Sequence, residues 1–159
     1  MKFSITQNGK KLSEDLYNWD ESTKTFSSNE DGLVLDFNGH SGMTFKTGSN
    51  CSFKTGSSCK FNTGACCIFN TGYNCTFDTG SYCTFNTSYG CVFNTGSYCT
   101  FNVGYRAVIV RRDVFEVITL EEGGHIKSGA DTGCTHIKDT KTITIDGKDI
   151  GILPIHLRH

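Results

Sequence analysis

The sequence predicts an all-β fold, a two-sided parallel β-solenoid of sixteen-residue coils, two octapeptides to each coil, closed by an N-terminal and a C-terminal cap. Three observations predict it. Residues 35–106 read as nine octapeptides laid end to end with the consensus Cys-x-Phe-x-Thr-Gly-x-x, and a fixed short period marks a stacked-repeat architecture. Phenylalanine recurs every eighth residue at 37, 45, 53, 61, 69, 77, 85, 93 and 101, and two positions earlier stand Leu35, Met43 and then Cys51, Cys59, Cys67, Cys75, Cys83, Cys91 and Cys99. Tyrosines recur at a spacing of sixteen (Tyr73, Tyr89 and Tyr105; Tyr82 and Tyr98) and at neither eight nor twenty-four, which makes two octapeptides the coil.

The chain divides into residues 1–34, an N-terminal cap with a short hairpin; 35–106, the octapeptide solenoid; and 107–159, a C-terminal β cap. In the first segment Met1 to Thr6 alternates and meets Asn8-Gly9, a strand running into a turn. Leu12 to Leu16 predicts a single helical turn with Ser13 as its cap. Tyr17-Asn18-Trp19 and Lys24-Thr25-Phe26 predict a hairpin whose Trp19 and Phe26 shield the open end of the Phe column, because an uncovered solenoid end is an unpaired edge.

Within one octapeptide, Cys-x-Phe alternates with period two, as a half-buried strand does. Thr-Gly-x-x then turns the corner, with glycine expected to supply a left-handed backbone. One such strand cannot bury its face alone, so repeats must stack, with Phe and Cys in parallel ladders inside and Asn side chains such as Asn70, Asn86 and Asn102 laddered outside.

At Ala107 the pattern is expected to leave the solenoid in the longer strands Val108 to Arg112 and Val114 to Leu120. Glu122-Gly123-Gly124 predicts a turn, Lys141 to Ile145 a strand with Lys148 to Leu153 as its partner, and Pro154 to His159 a tail that frays or lies over the cap.

Composition excludes several function classes. The net charge is −1, and residues 35–106 set Asp36 and Asp78 against Lys46, Lys54, Lys60 and Arg106, a net +2. That is too little charge for strong non-specific nucleic-acid binding, and of the wrong sign for a nucleic-acid mimic. No apolar run approaches a membrane span, and no secretory signal opens the chain. Nine cysteines without such a signal point to a reducing compartment and free thiols, used as small buried hydrophobes rather than as metal ligands.

The Cys-Thr-Phe-Asn-Thr-Gly arrays running into Val-Ile-Val-Arg-Arg-Asp-Val-Phe-Glu-Val-Ile at 108–118 resemble short octapeptide-repeat proteins encoded by tailed bacteriophages and related viral genomes. The likeness covers Leu35 to Leu120, and Trp19 to Phe26 also fits. It implies a viral origin and a setting in host cytoplasm or the virion, and it supplies no catalytic residue, cofactor or assigned activity.

The chemistry legible in the residues is thin. Asp36 and Asp78 fall on opposite faces of a two-octapeptide coil, which argues against a paired-carboxylate glycosidase. Cys134, His136 and His125 admit a Cys/His nucleophile or a metal cluster, but cap-loop residues of this kind are usually inert, and neither an enzyme nor a cofactor is expected. The sequence points instead to a binding or structural protein. Tyr73, Tyr89, Tyr105, Tyr82 and Tyr98 are its candidate contact residues toward a protein partner of the host or virion, with simple corner stacking as the plainer use. Exposed edges at either end also permit homo-oligomerisation. Ice binding through a flat threonine face is the alternative, although Lys60, Ile68 and Val92 interrupt Thr44, Thr76, Thr84 and Thr100.

Overall fold

The computed structural model describes residues 1–112 throughout and, beyond them, the strand backbones 116–120, 124–129, 133–138, 141–145 and 157–158. The predicted two-sided β-solenoid is what these residues form. Strands β5 (Leu33–Asp36), β7 (Ser52–Lys54), β9 (Ile68–Asn70), β11 (Thr84–Asn86) and β13 (Thr100–Val103) stack in parallel as sheet A. Strands β4 (Thr25–Ser27), β6 (Thr44–Lys46), β8 (Lys60–Asn62), β10 (Thr76–Asp78), β12 (Val92–Thr95) and β14 (Ala107–Arg111) stack as sheet B. From β6 onward the register is sixteen residues in both sheets, as in Phe45↔Phe61↔Phe77↔Phe93 and Phe53↔Phe69↔Phe85↔Phe101.

Alternation drives the strands, and the interior holds them together. Each three-residue strand turns its middle Phe inward, and the Cys before it and the Thr after the strand are drawn in with it; Phe77 and Cys75 are 1% exposed and Thr79 is 2%. Rings one rung apart in the same sheet stack at 4.8–5.0 Å, nearly parallel, in Phe53–Phe69, Phe61–Phe77 and Phe77–Phe93. Rings from opposite sheets meet edge to face, with Phe69–Phe77 at 5.1 Å and 73°. Both geometries suit the aromatic quadrupole, so the column gains from each neighbour beyond simple burial.

The corner glycines serve close approach and not, as expected, a left-handed backbone. A methyl group on Gly80 would lie 2.9–3.0 Å from the backbone of Ala65, and one on Gly56 2.1 Å from the carbonyl oxygen of Gly39. The left-handed residue is instead the last of each octapeptide, which the consensus leaves variable: Asn50, Ser58, Cys66, Asn74, Tyr82, Tyr98 and Arg106 have φ between 55° and 61°, and Gly42 and Gly90 complete the series. The octapeptide of β11 has Ser88 in the place of glycine, and the rung bond Ser88 N–H to Gly72 O stretches to 3.4 Å against 3.1 Å for Gly72 to Gly56.

The unbroken phenylalanine period conceals a slip. Strand β5 pairs Val34 with Ser52 and Leu35 with Phe53, a register of eighteen. Leu35 therefore fills a Phe place and Leu33 a Cys place, and neither Leu35 nor Phe37 heads the column expected of it. Asn38 and Gly39 are the two inserted residues, at φ 47° and 74°, in a tight turn closed by His40 N–H to Phe37 O at 2.9 Å. Their Asn-Gly sequence suits two successive positive φ angles. Phe26 is not a cover but the first ring of the sheet B column, in register with Phe45, so parallel stacking begins inside residues 1–34.

The cover is built otherwise. Strand β1 (Ser4–Gln7) pairs antiparallel with β5 and with the two-residue β2 (Lys10–Lys11), giving the expected strand and turn. Strand β3 (Asn18–Asp20) forms the predicted hairpin with β4. Phe3 stacks on Phe37 at 4.7 Å and Trp19 reaches it at 5.9 Å, so Phe37 joins the cap to the coil. The expected single helical turn forms as a 3₁₀ turn (Glu14–Leu16) after Ser13, but the Ser13 hydroxyl bonds the Asp15 carboxylate rather than capping the backbone.

At the other end, β14 does not leave the solenoid at Ala107. It continues the parallel register, Val92↔Val108 and Phe93↔Ile109, because Ala107, Ile109 and Arg111 keep the inward alternation. The antiparallel strands follow: β15 (Glu116–Leu120) on β14 with β19 (Leu157–Arg158) beyond it, and β16 (Gly124–Gly129), β17 (Gly133–Lys138) and β18 (Lys141–Ile145) added to sheet A after β13. The predicted strand at 141–145 is present and pairs with β17; its expected partner at 148–153 and the expected turn at 122–123 lie outside the described residues.

Candidate functional site

The five candidate tyrosines form two columns on opposite narrow edges. Tyr73, Tyr89 and Tyr105 occupy the seventh octapeptide position at corners leaving sheet A; Tyr82 and Tyr98 occupy the eighth at corners leaving sheet B. The sixteen-residue coil brings each set into register: Tyr73–Tyr89 at 5.0 Å and 1°, Tyr89–Tyr105 at 5.2 Å and 15°, Tyr82–Tyr98 at 4.9 Å and 8°. All five are exposed, Tyr82 the most at 60%.

Stacking decides what the columns can offer. Each inner ring face is covered by its neighbour, so the surface is a row of ring edges and hydroxyls at the rise of the coil. The Arg106 guanidinium lies 5.8 Å from the Tyr105 centroid and adds a cation at that end. Toward the N-terminal end the first column changes character. Ser41 accepts from the Ser57 amide at 2.9 Å and Ser57 from the Tyr73 amide at 3.1 Å, so hydroxyl-to-backbone bonds precede the rings.

The two broad faces carry mixed columns. On sheet A the outward registers are Val34, Ser52, Ile68, Thr84, Thr100 and Asp36, Lys54, Asn70, Asn86, Asn102. Of the expected Asn ladder, one side-chain bond forms among the described residues, Asn102 Nδ2 to Asn86 Oδ1 at 3.4 Å. On sheet B they are Thr25, Thr44, Lys60, Thr76, Val92 and Ser27, Lys46, Asn62, Asp78, Asn94. Threonine never occupies more than two successive rungs of either face.

The catalytic candidates stay apart. Asp36 lies on sheet A, paired with Lys54 at 3.4 Å, and Asp78 on sheet B, paired with Arg112 at 2.7 Å. Arg112 also bonds the carbonyl of Thr79, tying the last parallel rung back across β12 to β10. In the C-terminal sheet His125 pairs with Ile137 and His136 with Ile126, so the two histidines do not stand opposite one another. No group of three metal-ligating side chains occurs among the described residues.

Seven cysteines form two buried files, Cys51, Cys67, Cys83, Cys99 and Cys59, Cys75, Cys91, all free thiols. Their thiols donate to backbone carbonyls, as Cys75 does to Gly56 O and Tyr73 O. The Cys75 thiol and then burial push Cys59 up, while a bond from Cys75 draws Cys91 down to about 7 against the desolvation that raises it. Water reaches neither residue. Larger residues stand at the N-terminal head of each file, Leu33 and Met43, both buried. Cys66 is the exposed thiol among the described residues.

One feature had no advance signal in the repeat. A hollow of about 380 Å³ opens on sheet B beside Lys46, between Asn62 and the segment Ser27, Ser28 and Asn29. Lys46 and Asn62 were legible as one polar column, but the segment Ser27 to Asn29 that faces them precedes the octapeptides and carries no repeat signal. No family model matches the chain, and neither the curated proteins nor the solved structures include a match to it.

Proposed function

We propose that the protein is a non-catalytic scaffold that holds a tyrosine-lined edge against a protein partner, a host protein or a virion component. The observation that carries this reading is the pair of exposed tyrosine columns held in register by the coil. Tyrosine anchors protein interfaces because it combines a large apolar ring with a hydrogen-bonding tip. Rings that cover one another's faces leave little for sugars or nucleobases to stack on, and this favours a partner that meets ring edges. The viral setting rests on the resemblance of the octapeptide arrays. Assembly through the N-terminal edge of sheet A is disfavoured by its edge strand, two residues long and both lysine, a common device against edge pairing.

The test compares the native chain with a variant carrying Tyr73→Ser, Tyr89→Ser and Tyr105→Ser as bait in host lysate. The triple variant is expected to lose a protein that the native chain captures and to keep its cooperative unfolding, since all three rings are exposed. Undiminished capture by the triple variant would remove this column as the grip. For the ice-binding alternative, broken threonine columns predict no thermal hysteresis in a freezing assay.

A further inference from the structure

We propose that the hollow beside Lys46 binds a small polyhydroxylated ligand carrying one oxyanion, a ligand with the chemistry of an acidic sugar. This site is separate from the tyrosine edges, which it neither uses nor requires. The hollow lies where the connection from β4 to β5 departs from the octapeptide, with one residue more than a regular corner. From Phe26 to Phe45 the register spans nineteen residues where later coils take sixteen; two of the three surplus residues are Asn38 and Gly39 beyond β5, and the third lies in the connection from β4 to β5. That connection is fixed at both ends, by Ser28 N–H to Lys46 O at 3.0 Å and by Gly32 N–H to Ser49 O at 2.9 Å. Between these ties the chain cannot take the tight Thr-Gly corner, and a concavity is left against β6 and β8.

The lining determines the ligand. At about 380 Å³ the volume is near the small end of ligand pockets, roughly 300–1,000 Å³, and fits one sugar ring rather than a polymer. No apolar side chain lines it, which argues against an apolar guest. Two of its hydroxyls are committed: Ser28 donates to Leu16 O and accepts from the Glu30 amide, and Thr47 donates to Gly48 O. The side chains of Ser27, Asn29, Lys46 and Asn62 make no hydrogen bond or ion pair with the described residues. An ammonium, two amides and a hydroxyl therefore converge with capacity to spare.

The one charged group in the lining, the Lys46 ammonium, selects the anion. No acidic side chain lines the hollow. Of the carboxylates near it, Asp78, next after Asn62 in the outward column, is paired with Arg112, while Glu30 and Asp31 accept hydrogen bonds from the Gln7 side chain and the Ser49 N–H and keep their charge. Lys60, one rung on in the adjacent column, also has no ion pair with the described residues and helps offset those two charges. The ammonium of Lys46 would take the oxyanion by a charge-assisted bond, and Ser27, Asn29 and Asn62 would take ring hydroxyls as donors or acceptors.

The experiment is an amide NMR titration of the full chain with glucuronate, glucose 6-sulfate, glucose 6-phosphate, neutral glucose and inorganic phosphate. Shifts are expected at residues 27–29, 46–48 and 62 with at least one charged sugar, and the strongest of the three identifies the oxyanion as carboxylate, sulfate or phosphate. Lys46→Gln should weaken that binding about tenfold, the loss expected for one hydrogen bond to a charged group. Lys46 is exposed and without an ion pair, so its variant should unfold at the native midpoint, and a change in binding cannot be mistaken for a change in fold. Equal shifts from glucose, binding undiminished in Lys46→Gln, no shift at these amides with any charged sugar, or inorganic phosphate reproducing the whole effect would each overturn the proposal.

Discussion

From Met43 to Arg106 the chain repeats every sixteen residues and its same-sheet rings stack at 4.8–5.0 Å, whereas the first coil spends nineteen residues between Phe26 and Phe45 and sets those rings 6.4 Å apart at 46°. The same kinds of residue occupy both regions. In the regular coils each corner lies against the one before it, so closely that glycine is required and little space remains. In the first coil the corner is longer, Phe37 turns from the column to meet Phe3 and Trp19, and the outer surface opens into a hollow. The difference teaches that strict repetition gives this protein stability and a regular edge, and that departure from it provides concave space.

The comparison can be broken most severely at the column itself. Phe77→Ala removes a ring that stacks on Phe61 and Phe93 and meets Phe69 and Phe85 edge to face, all in the regular coils. It should cost about 4 kcal/mol in denaturant unfolding. A loss below about 1 kcal/mol would mean that the regular coils are not packed as tightly as their ring spacing says.

A smaller effect separates the two reasons for a glycine. Gly80→Ala, in the regular region, pushes a methyl group against the Ala65 backbone and should cost about 2 kcal/mol by overpacking. Gly42→Ala, at the junction with the first coil, meets nothing within 4 Å but must hold φ near 72°. It should cost about 1 kcal/mol, the usual penalty for that backbone region. Reversal of the order in thermal or denaturant unfolding would show that corner conformation, not contact between coils, limits the repeat.

The smallest effect lies in the cap. Hydrogen bonds from the side chains and amides of Ser22 and Thr23 draw Asp20 from 3.8 to about 2. A carboxyl with a lowered folded pKa adds stability above its unfolded value, and that stability disappears as pH falls from near 4 toward 2. The β3–β4 hairpin should therefore loosen in this window, seen as faster amide exchange at Trp19 and Phe26, while the amides of β8 to β11 stay protected. Simultaneous loss in both regions would mean that cap and coils unfold as one unit.

Much of this was legible in the residues. Alternation within Cys-x-Phe fixed which side chains go inside, and the tyrosine spacing fixed two octapeptides per coil, because side chains in a parallel stack must repeat at the coil length. The separation of Asp36 from Asp78 followed from the same arithmetic. The slip at Asn38-Gly39 did not, since Phe37 keeps the period in sequence while leaving the column in space. Nor did the length of the parallel stack, because Phe26 and Ile109 fill Phe places without the octapeptide around them.

By itself, then, the sequence determined the strand, the coil length and the composition of the interior, all of which depend on local alternation and on period. Only the tertiary structure decided where the register shifts, which glycines touch a neighbouring coil, and which polar side chains are left facing a hollow. Those outcomes depend on contacts between residues sixteen to nineteen positions apart, and a residue's own neighbours in the chain carry no record of them.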